Sequence, residues 1–355
     1  MSSKQRIPIA RPDLTWRETE AVKECVHSGW ITQGPYVEKA EHQLKEITGR
    51  RYALCCSSGT SALIVALLAV ERDWRPWIVG APALIFAAVH NAIALVADHV
   101  QYFGADLDSW QTDGREMFDE HVCDSLILAP CYGSLGTSAA GTVKRTASGR
   151  ITAAIVEDAC ESFGGSLKGK PAGSFGYISC LSFYANKICV SGEGGAVLTD
   201  DEALAKKMRT IINHGIEGKS YKSKMVGING RMTDVQAAIL SVQLDRMPAM
   251  LELRREIMAR YREAAKGHWR LPVVAEGEIP APWLFAGIPD DRSGVISRCE
   301  EANIEWRPFF PIPKDAPSSK SLQVARILSS HGICLPVSSA MTEEEVERVA
   351  EVIRG

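Results

Sequence analysis

The chain lacks most of the features that would place it in a special class. No apolar run approaches the ~20 residues a membrane-spanning helix needs, and the N-terminus has no basic segment followed by an apolar one. Ten cysteines include no Cys-x-x-Cys pair, which argues against a zinc site or a disulfide framework. The eight histidines show no pair at ligand spacing on a helix, so no metal is expected. Forty Lys+Arg against 43 Asp+Glu leave a net charge of −3. That is too little of either sign to imply a nucleic acid or a membrane surface as partner. Internal repeats and low-complexity segments are absent, and no Gly-x-Gly-x-x-Gly follows the first strand signal. What remains is 355 residues, 46% hydrophobic and 23% charged. This is enough for two globular domains with ample core, and reduced, buried thiols point to the cytoplasm.

Alternating strand and helix signals organise the first two thirds. Thr15-Trp16-Arg17-Glu18 is a capping box, and the helix it opens is predicted to end at Gly29. A second amphipathic helix is predicted over residues 37–47. Strands are predicted at 52–56, 77–80, 99–103, 125–129, 151–157, 178–184 and 196–199, with helices at 61–70 and 86–95. Seven short apolar strands alternating with helices predict an α/β fold with a mostly parallel sheet covered on both faces. Residues 233–263 read as one long helix or two in tandem. Beyond them, signals at 284–288, 293–301, 304–307 and 342–354 describe a small α+β domain. The expected division is a large domain over 1–245 and a smaller one over 246–355.

Four features point to chemistry. Ser57-Ser58-Gly59-Thr60 lies between a strand and a helix, where first-turn N–H groups and hydroxyls form either a simple cap or an anion site. Val156-Glu157-Asp158 ends a strand in carboxylates, where open α/β sheets bind ligands; Asp158 is either a ligand partner or a helix cap. Lys187 follows the strand at 178–184 and precedes Gly192-Glu193-Gly194-Gly195. It reads as a solvated turn lysine or as the amine of a Schiff base. Phe86, opening a helix, is either core or a cover for a planar ring. Taken together, the four suit a phosphorylated pyridine aldehyde: an anion site, a carboxylate for the ring nitrogen, an amine for the aldehyde and an aromatic for the ring. The run from Gly164 to Lys170 approximates a nucleotide phosphate loop. Pro171 stands where that motif needs Ser or Thr, so a hairpin is predicted instead.

Further blocks extend the pattern along the chain. They are Ser28-Gly29-Trp30-Ile31-Thr32-Gln33-Gly34-Pro35, Ser61-Ala62-Leu63, Asn91-Ala92-Ile93, Gly173-Ser174-Phe175-Gly176, Ser182-Phe183-Tyr184-Ala185-Asn186-Lys187, His214-Gly215, Gly227-Ile228-Asn229-Gly230-Arg231-Met232 with Gln236, and Arg307-Pro308-Phe309-Phe310. In this order they resemble the DegT-type sugar aminotransferases, pyridoxal-phosphate-dependent enzymes of the aspartate-aminotransferase fold (fold type I). The resemblance implies pyridoxal 5′-phosphate (PLP) as cofactor, with Lys187 its covalent anchor and proton shuttle and Asp158 the partner of its ring nitrogen. It implies Ser58, Gly59, Thr60 and Ser182 as phosphate ligands, Phe86 as the stacking aromatic, and Glu161 beside the cofactor where many members have glutamine. Asn229 matches a residue that reaches the neighbouring subunit's cofactor, which implies a homodimer with shared sites.

The same resemblance implies amino transfer from a donor such as glutamate to a nucleotide-linked 4-keto-6-deoxy sugar, with GDP-4-keto-6-deoxymannose the first expectation. Arg307, Trp30 and Tyr184 are the candidate substrate contacts. Three departures keep a dTDP- or UDP-linked ketosugar, or a cyclitol ketone, as alternative acceptors. Gly230 replaces an aromatic, Ile85 replaces a hydroxyl residue, and Pro313 stands near a missing histidine. Dehydratases on this scaffold have histidine in place of the lysine, so Lys187 argues against dehydration. A PLP-binding regulatory protein without activity is the alternative from another class.

Overall fold

The computed structural model describes residues 5–70, 76–112, 123–136, 144–145, 151–218 and 221–355. Thr15 opens α1 (Trp16–Ser28) with the expected capping box, and Gly29 ends it at φ 77°. α2 (Pro35–Thr48) follows, with proline in its first turn, where the missing N–H costs nothing. Next come β1 (Tyr52–Cys56), α3 (Gly59–Val70), β2 (Ile78–Pro82), α4 (Ala87–Val96), β3 (His99–Phe103), β4 (Ser125–Leu128), β5 (Lys144–Arg145) and β6 (Ile151–Asp158). β7 (Ser166–Leu167) and β8 (Lys170–Pro171) form the hairpin expected at Pro171. β9 (Ile178–Ser182), β10 (Gly195–Thr199), α5 (Glu202–Ile212) and α6 (Asp234–Ala264) complete this part.

The main sheet has the order β1-β10-β9-β6-β4-β2-β3. Only β10 runs against its neighbours on this path; the other pairings are parallel. The mostly parallel expectation holds, and β5, paired antiparallel to β6 beside this path, brings the sheet to eight strands where seven were expected. α3 is apolar nearly all round, with Leu63, Val65, Ala66 and Leu67 buried, as a helix pressed between a sheet and other helices must be.

One buried polar knot fixes the turn between β8 and β9. Glu157, on the face of β6 opposite Asp158, accepts N–H bonds from Gly173 (2.9 Å) and Phe175 (2.8 Å) and a hydroxyl bond from Ser179 (2.7 Å). Arg50, 6% exposed, donates to the carbonyls of Gly173 (3.0 Å), Phe175 and Gly176 (3.0 Å) and pairs with Asp200 (2.9 Å). The Gly173–Gly176 block is thus explained by backbone bonding rather than by ligand contact.

α6 is one continuous helix of 31 residues and carries the chain to a second sheet. That sheet, in the order β11-β13-β15-β14, comprises β11 (Trp269–Arg270), β13 (Phe285–Pro289), β14 (Arg307–Pro308) and β15 (Ile333–Leu335). β12 (Glu278–Ile279) instead joins the β7–β8 hairpin. α7 (Arg292–Glu301), α8 (Gln323–His331) and α9 (Glu343–Arg354) complete the C-terminal part. Tyr261, Phe285, Val349 and Ile353 form its own core, which Ile7 joins from the N-terminal segment.

The strand expected at 304–307 is a correction. Asn303 turns the chain at φ 54°, Ile304 bridges to Ile7, and regular pairing starts only at Arg307. α5, α8 and β15 had no counterpart in the sequence reading. Among the described residues, no helix is long and apolar enough to cross a membrane.

Glu157→Ala would leave the N–H groups of Gly173 and Phe175 and the Ser179 hydroxyl without this acceptor, and remove the acid whose charge interacts with the buried Arg50. Such a loss costs about 3–5 kcal/mol, so the melting temperature should fall by several degrees. An unchanged melting curve would contradict the role assigned to this knot.

Candidate active site

Three strand ends converge at one edge of the main sheet. Asp158 ends β6 opposite Cys180 of the parallel β9, while Gly195 of β10 faces both Ser182 and Cys56. The loops that follow β1, β6 and β9 therefore meet there. A cavity of ≈ 620 Å³ opens at that edge, lined by Ser58, Gly59, Thr60, Asp158, Ser182 and Lys187 among others.

The N-terminus of α3 forms the first wall. Ser58 Oγ accepts from Ser61 N (3.0 Å), and the Ser58 carbonyl accepts from Ala62 N (3.0 Å). The N–H groups of Gly59 and Thr60 lie ahead of these bonds, at the positive end of the helix. Two glycines make this approach possible. A Cβ on Gly59 would come within 2.8 Å of Ser182 Cβ, and one on Gly195 within 2.3 Å of the Ser58 carbonyl.

The lysine loop forms the second wall. Phe183 N donates to Gly194 O (2.8 Å), Ser191 N to Phe183 O (2.8 Å), Ala185 N to Gly192 O (3.1 Å) and Lys187 N to Tyr184 O (2.9 Å). These bonds close residues 183–194 on themselves, and Lys187 stands on the cavity side. Its Nζ lies 4.1 Å from the ring centroid of Trp283, and Trp283 Nε1 donates to the Asn186 carbonyl (2.8 Å).

The acids of the site are buried. Burial raises the pKa of Asp158, while hydrogen bonding from Cys160, including its N–H to Oδ1 (3.0 Å), and the charge of Lys187 pull it back. Burial pushes Glu161 up to about 7, against the charge of Lys187 and an N–H bond from Tyr132 (2.9 Å).

An aromatic column forms the remaining wall. Phe86, 55% exposed, caps α4 and meets Phe310 edge-on at 5.6 Å. Tyr132 stacks on both Phe309 (4.1 Å) and Phe310 (5.2 Å), and its hydroxyl accepts from Phe310 N (2.8 Å). Arg307 and Tyr184 line the cavity, and Arg307 also pairs with Glu305 at 2.5 Å.

Of the residues singled out from sequence, Lys187, Asp158, Ser58, Gly59, Thr60, Phe86, Glu161, Ser182, Arg307 and Tyr184 all reach this one cavity. Trp30 and Asn229 do not. Trp30 is 63% exposed on the turn after α1, and Asn229 is exposed beside its bridge partner Asn213. Ile9, Tyr132 and Trp283 line the cavity without having been anticipated. Tyr132 has one signal visible only in three dimensions, a left-handed backbone at φ 56°.

The donor set fits PLP. Helix-end N–H groups and three hydroxyls suit its phosphate. The buried Asp158 carboxylate gains a counter-charge from a protonated ring nitrogen, Lys187 can bond the aldehyde, and exposed Phe86 can cover the ring.

Residues 12–354 match the DegT/DnrJ/EryC1/StrS aminotransferase family. A GDP-perosamine synthase from Caulobacter vibrioides is 30% identical over 98% of both chains. Another from Escherichia coli O157:H7 is 29% identical over 98% of this chain and 97% of its own. The crystal structure of a DegT DnrJ EryC1 StrS aminotransferase from Brucella abortus aligns with TM-score 0.85 at 25% identity, covering 96% of this chain and 95% of its own. A GDP-4-keto-6-deoxymannose-3-dehydratase shares the fold at TM-score 0.85 and 21% identity, over 98% of this chain and 100% of its own. The fold by itself therefore does not separate amino transfer from dehydration. This chain belongs to the DegT/DnrJ/EryC1/StrS aminotransferase family and is a PLP-dependent aminotransferase.

Proposed function

We propose that the protein transfers an amino group from glutamate to C4 of GDP-4-keto-6-deoxymannose, giving GDP-perosamine. The similarity to two GDP-perosamine synthases over nearly the whole chain supports this acceptor. A second reading, another nucleotide-linked ketosugar or a cyclitol ketone, has one observation in its favour. Of the three departures from the family pattern, Ile85 alone lines the cavity, where it adds apolar surface in place of a hydroxyl.

The observation that carries the mechanism is that Lys187 and Asp158 share one cavity at the carboxyl edge of the sheet. Bound there, the cofactor supplies an aldehyde and a ring able to take up the electrons of a breaking C–H bond. Lys187 contributes the nucleophilic amine and, once released, carries the proton leaving the donor's α-carbon. Asp158 holds the ring nitrogen cationic, and Ser58, Gly59, Thr60 and Ser182 bind the phosphate. Phe86 covers one ring face and Glu161 sits beside it; Arg307 and Tyr184 contact the acceptor.

The active unit in this reading is a homodimer in which Asn229 of the partner subunit completes each site. Its support is the exposure of Asn229 and Trp30 together with the apolar surface of Tyr221 and Val226. We take residues 1–245 and 246–355 as the two domains, the second having the separate core described above. A cytoplasmic location agrees with ten free cysteines.

Borohydride reduction of the holoenzyme should fix the cofactor on the peptide containing Lys187, and Lys187→Ala should abolish both the label and turnover. A label on another lysine would remove the assignment. Assayed side by side, GDP-4-keto-6-deoxymannose should be aminated in preference to dTDP- and UDP-linked ketosugars; no turnover of any of them would end the sugar reading.

Glu161 yields a pH test in the apo-protein. Its folded pKa of about 7 lies above the ordinary 4.5, so its proton stabilises the fold fully below 4.5. That contribution is lost as pH rises toward 7. Glu161→Gln should thus gain on the wild type by up to about 3 kcal/mol across this window and hold the gain above it. A difference that does not vary with pH would contradict it.

A further inference from the structure

We infer that Trp283 is a positioning residue for Lys187. Its indole face holds the ε-ammonium whenever the amine is not bonded to the cofactor. The inference rests on the reading of Lys187 as the covalent lysine.

Two contacts carry it. Lys187 Nζ is 4.1 Å from the indole centroid, well inside the ~6 Å over which a cation is drawn to an aromatic face. The indole N–H donates to the carbonyl of Asn186, the residue just before the lysine (2.8 Å). One side chain therefore fixes both the backbone beside Lys187 and the position of its charged end. Trp283 is only 4% exposed, so little water screens the attraction. It comes from the segment leading into β13, yet packs into the core of the main sheet.

The chemistry gives this contact a purpose. When the free amine of Lys187 takes the proton from the donor's α-carbon, the C–H electron pair is left for the ring to take up and the lysine nitrogen becomes an ammonium. A cation over an indole is stabilised where a neutral amine is not. Trp283 thus gives the ammonium a fixed seat and keeps that proton within reach of the carbon that next receives it. Asp158 and Glu161 act on the same charge from the β6 end, and Glu193 and the Cys160 thiol also line the cavity.

The test uses Trp283→Phe, which keeps an aromatic face, and Trp283→Leu, which removes it. In the holoenzyme, the glutamate half-reaction is followed by loss of visible absorbance, with ordinary and α-deuterated glutamate. Trp283→Leu should slow it about tenfold, raise the deuterium isotope effect and leave the KM for glutamate unchanged. Trp283→Phe should lose about threefold. In the apo-protein, acetylation of Lys187 at neutral pH, scaled to exposed lysines, should speed up in Trp283→Leu and change less in Trp283→Phe.

Wild-type isotope effects and acetylation rates in both variants would overturn the inference. So would a loss of rate with no change in isotope effect, which marks a merely structural role. Borohydride labelling of the wild type separates the two layers. Label on Lys187 with unaffected Trp283 variants defeats only this inference, whereas no label there defeats the reading beneath it.

Discussion

The site depends on two ionisable groups of opposite sign held in one cavity away from bulk water. A carboxyl group as buried as Asp158 would, left alone, keep its proton. Hydrogen bonding from Cys160 and the charge of Lys187 oppose this. Lys187 in turn is bounded by acids toward β6 and by an indole on its other side. Neither residue has a comparable reason to be there without the other. Their meeting follows from topology: β6 and β9 are parallel neighbours in register, so the loops leaving them emerge at the same edge.

The surrounding structure packs and hydrogen-bonds closely around that edge. Gly59 and Gly195 let the start of α3 rest directly on the ends of β9 and β10. On the opposite face of β6, Glu157 and Arg50 tie down the turn that feeds β9. The C-terminal part closes the other side through Trp283 and the aromatic column from Phe86 to Phe309. Tyr132 links these parts, since its N–H holds Glu161 and its hydroxyl holds the backbone of Phe310.

Much of this was legible in the amino-acid order wherever local signals are strong. β1 and β3 fall at the expected residues, because β1 is an apolar run and β3 carries the strand formers Val100, Tyr102 and Phe103, each followed by turn formers. The capping box at Thr15 located α1 to the residue. Ten of the twelve candidate site residues share the cavity, since most of them follow directly from strand ends. Trp30, expected to contact substrate, instead lies exposed on the turn after α1, and Asn229 was expected to act at a second subunit's site, which no periodicity in one chain encodes. β15 is three residues long, too short for a pattern, and Ile304 pairs with Ile7 across nearly the whole sequence. Trp283 and Tyr132 reach the site through tertiary packing, so nothing in their local sequence marks them.

The most direct measurement is a crystal structure of the protein grown with PLP. The account predicts continuous density from Lys187 Nζ to the cofactor, its ring nitrogen against the Asp158 carboxylate and its phosphate at the N–H groups of Gly59 and Thr60. A cofactor bound in another orientation, with Asp158 facing solvent or the phosphate away from α3, would contradict it.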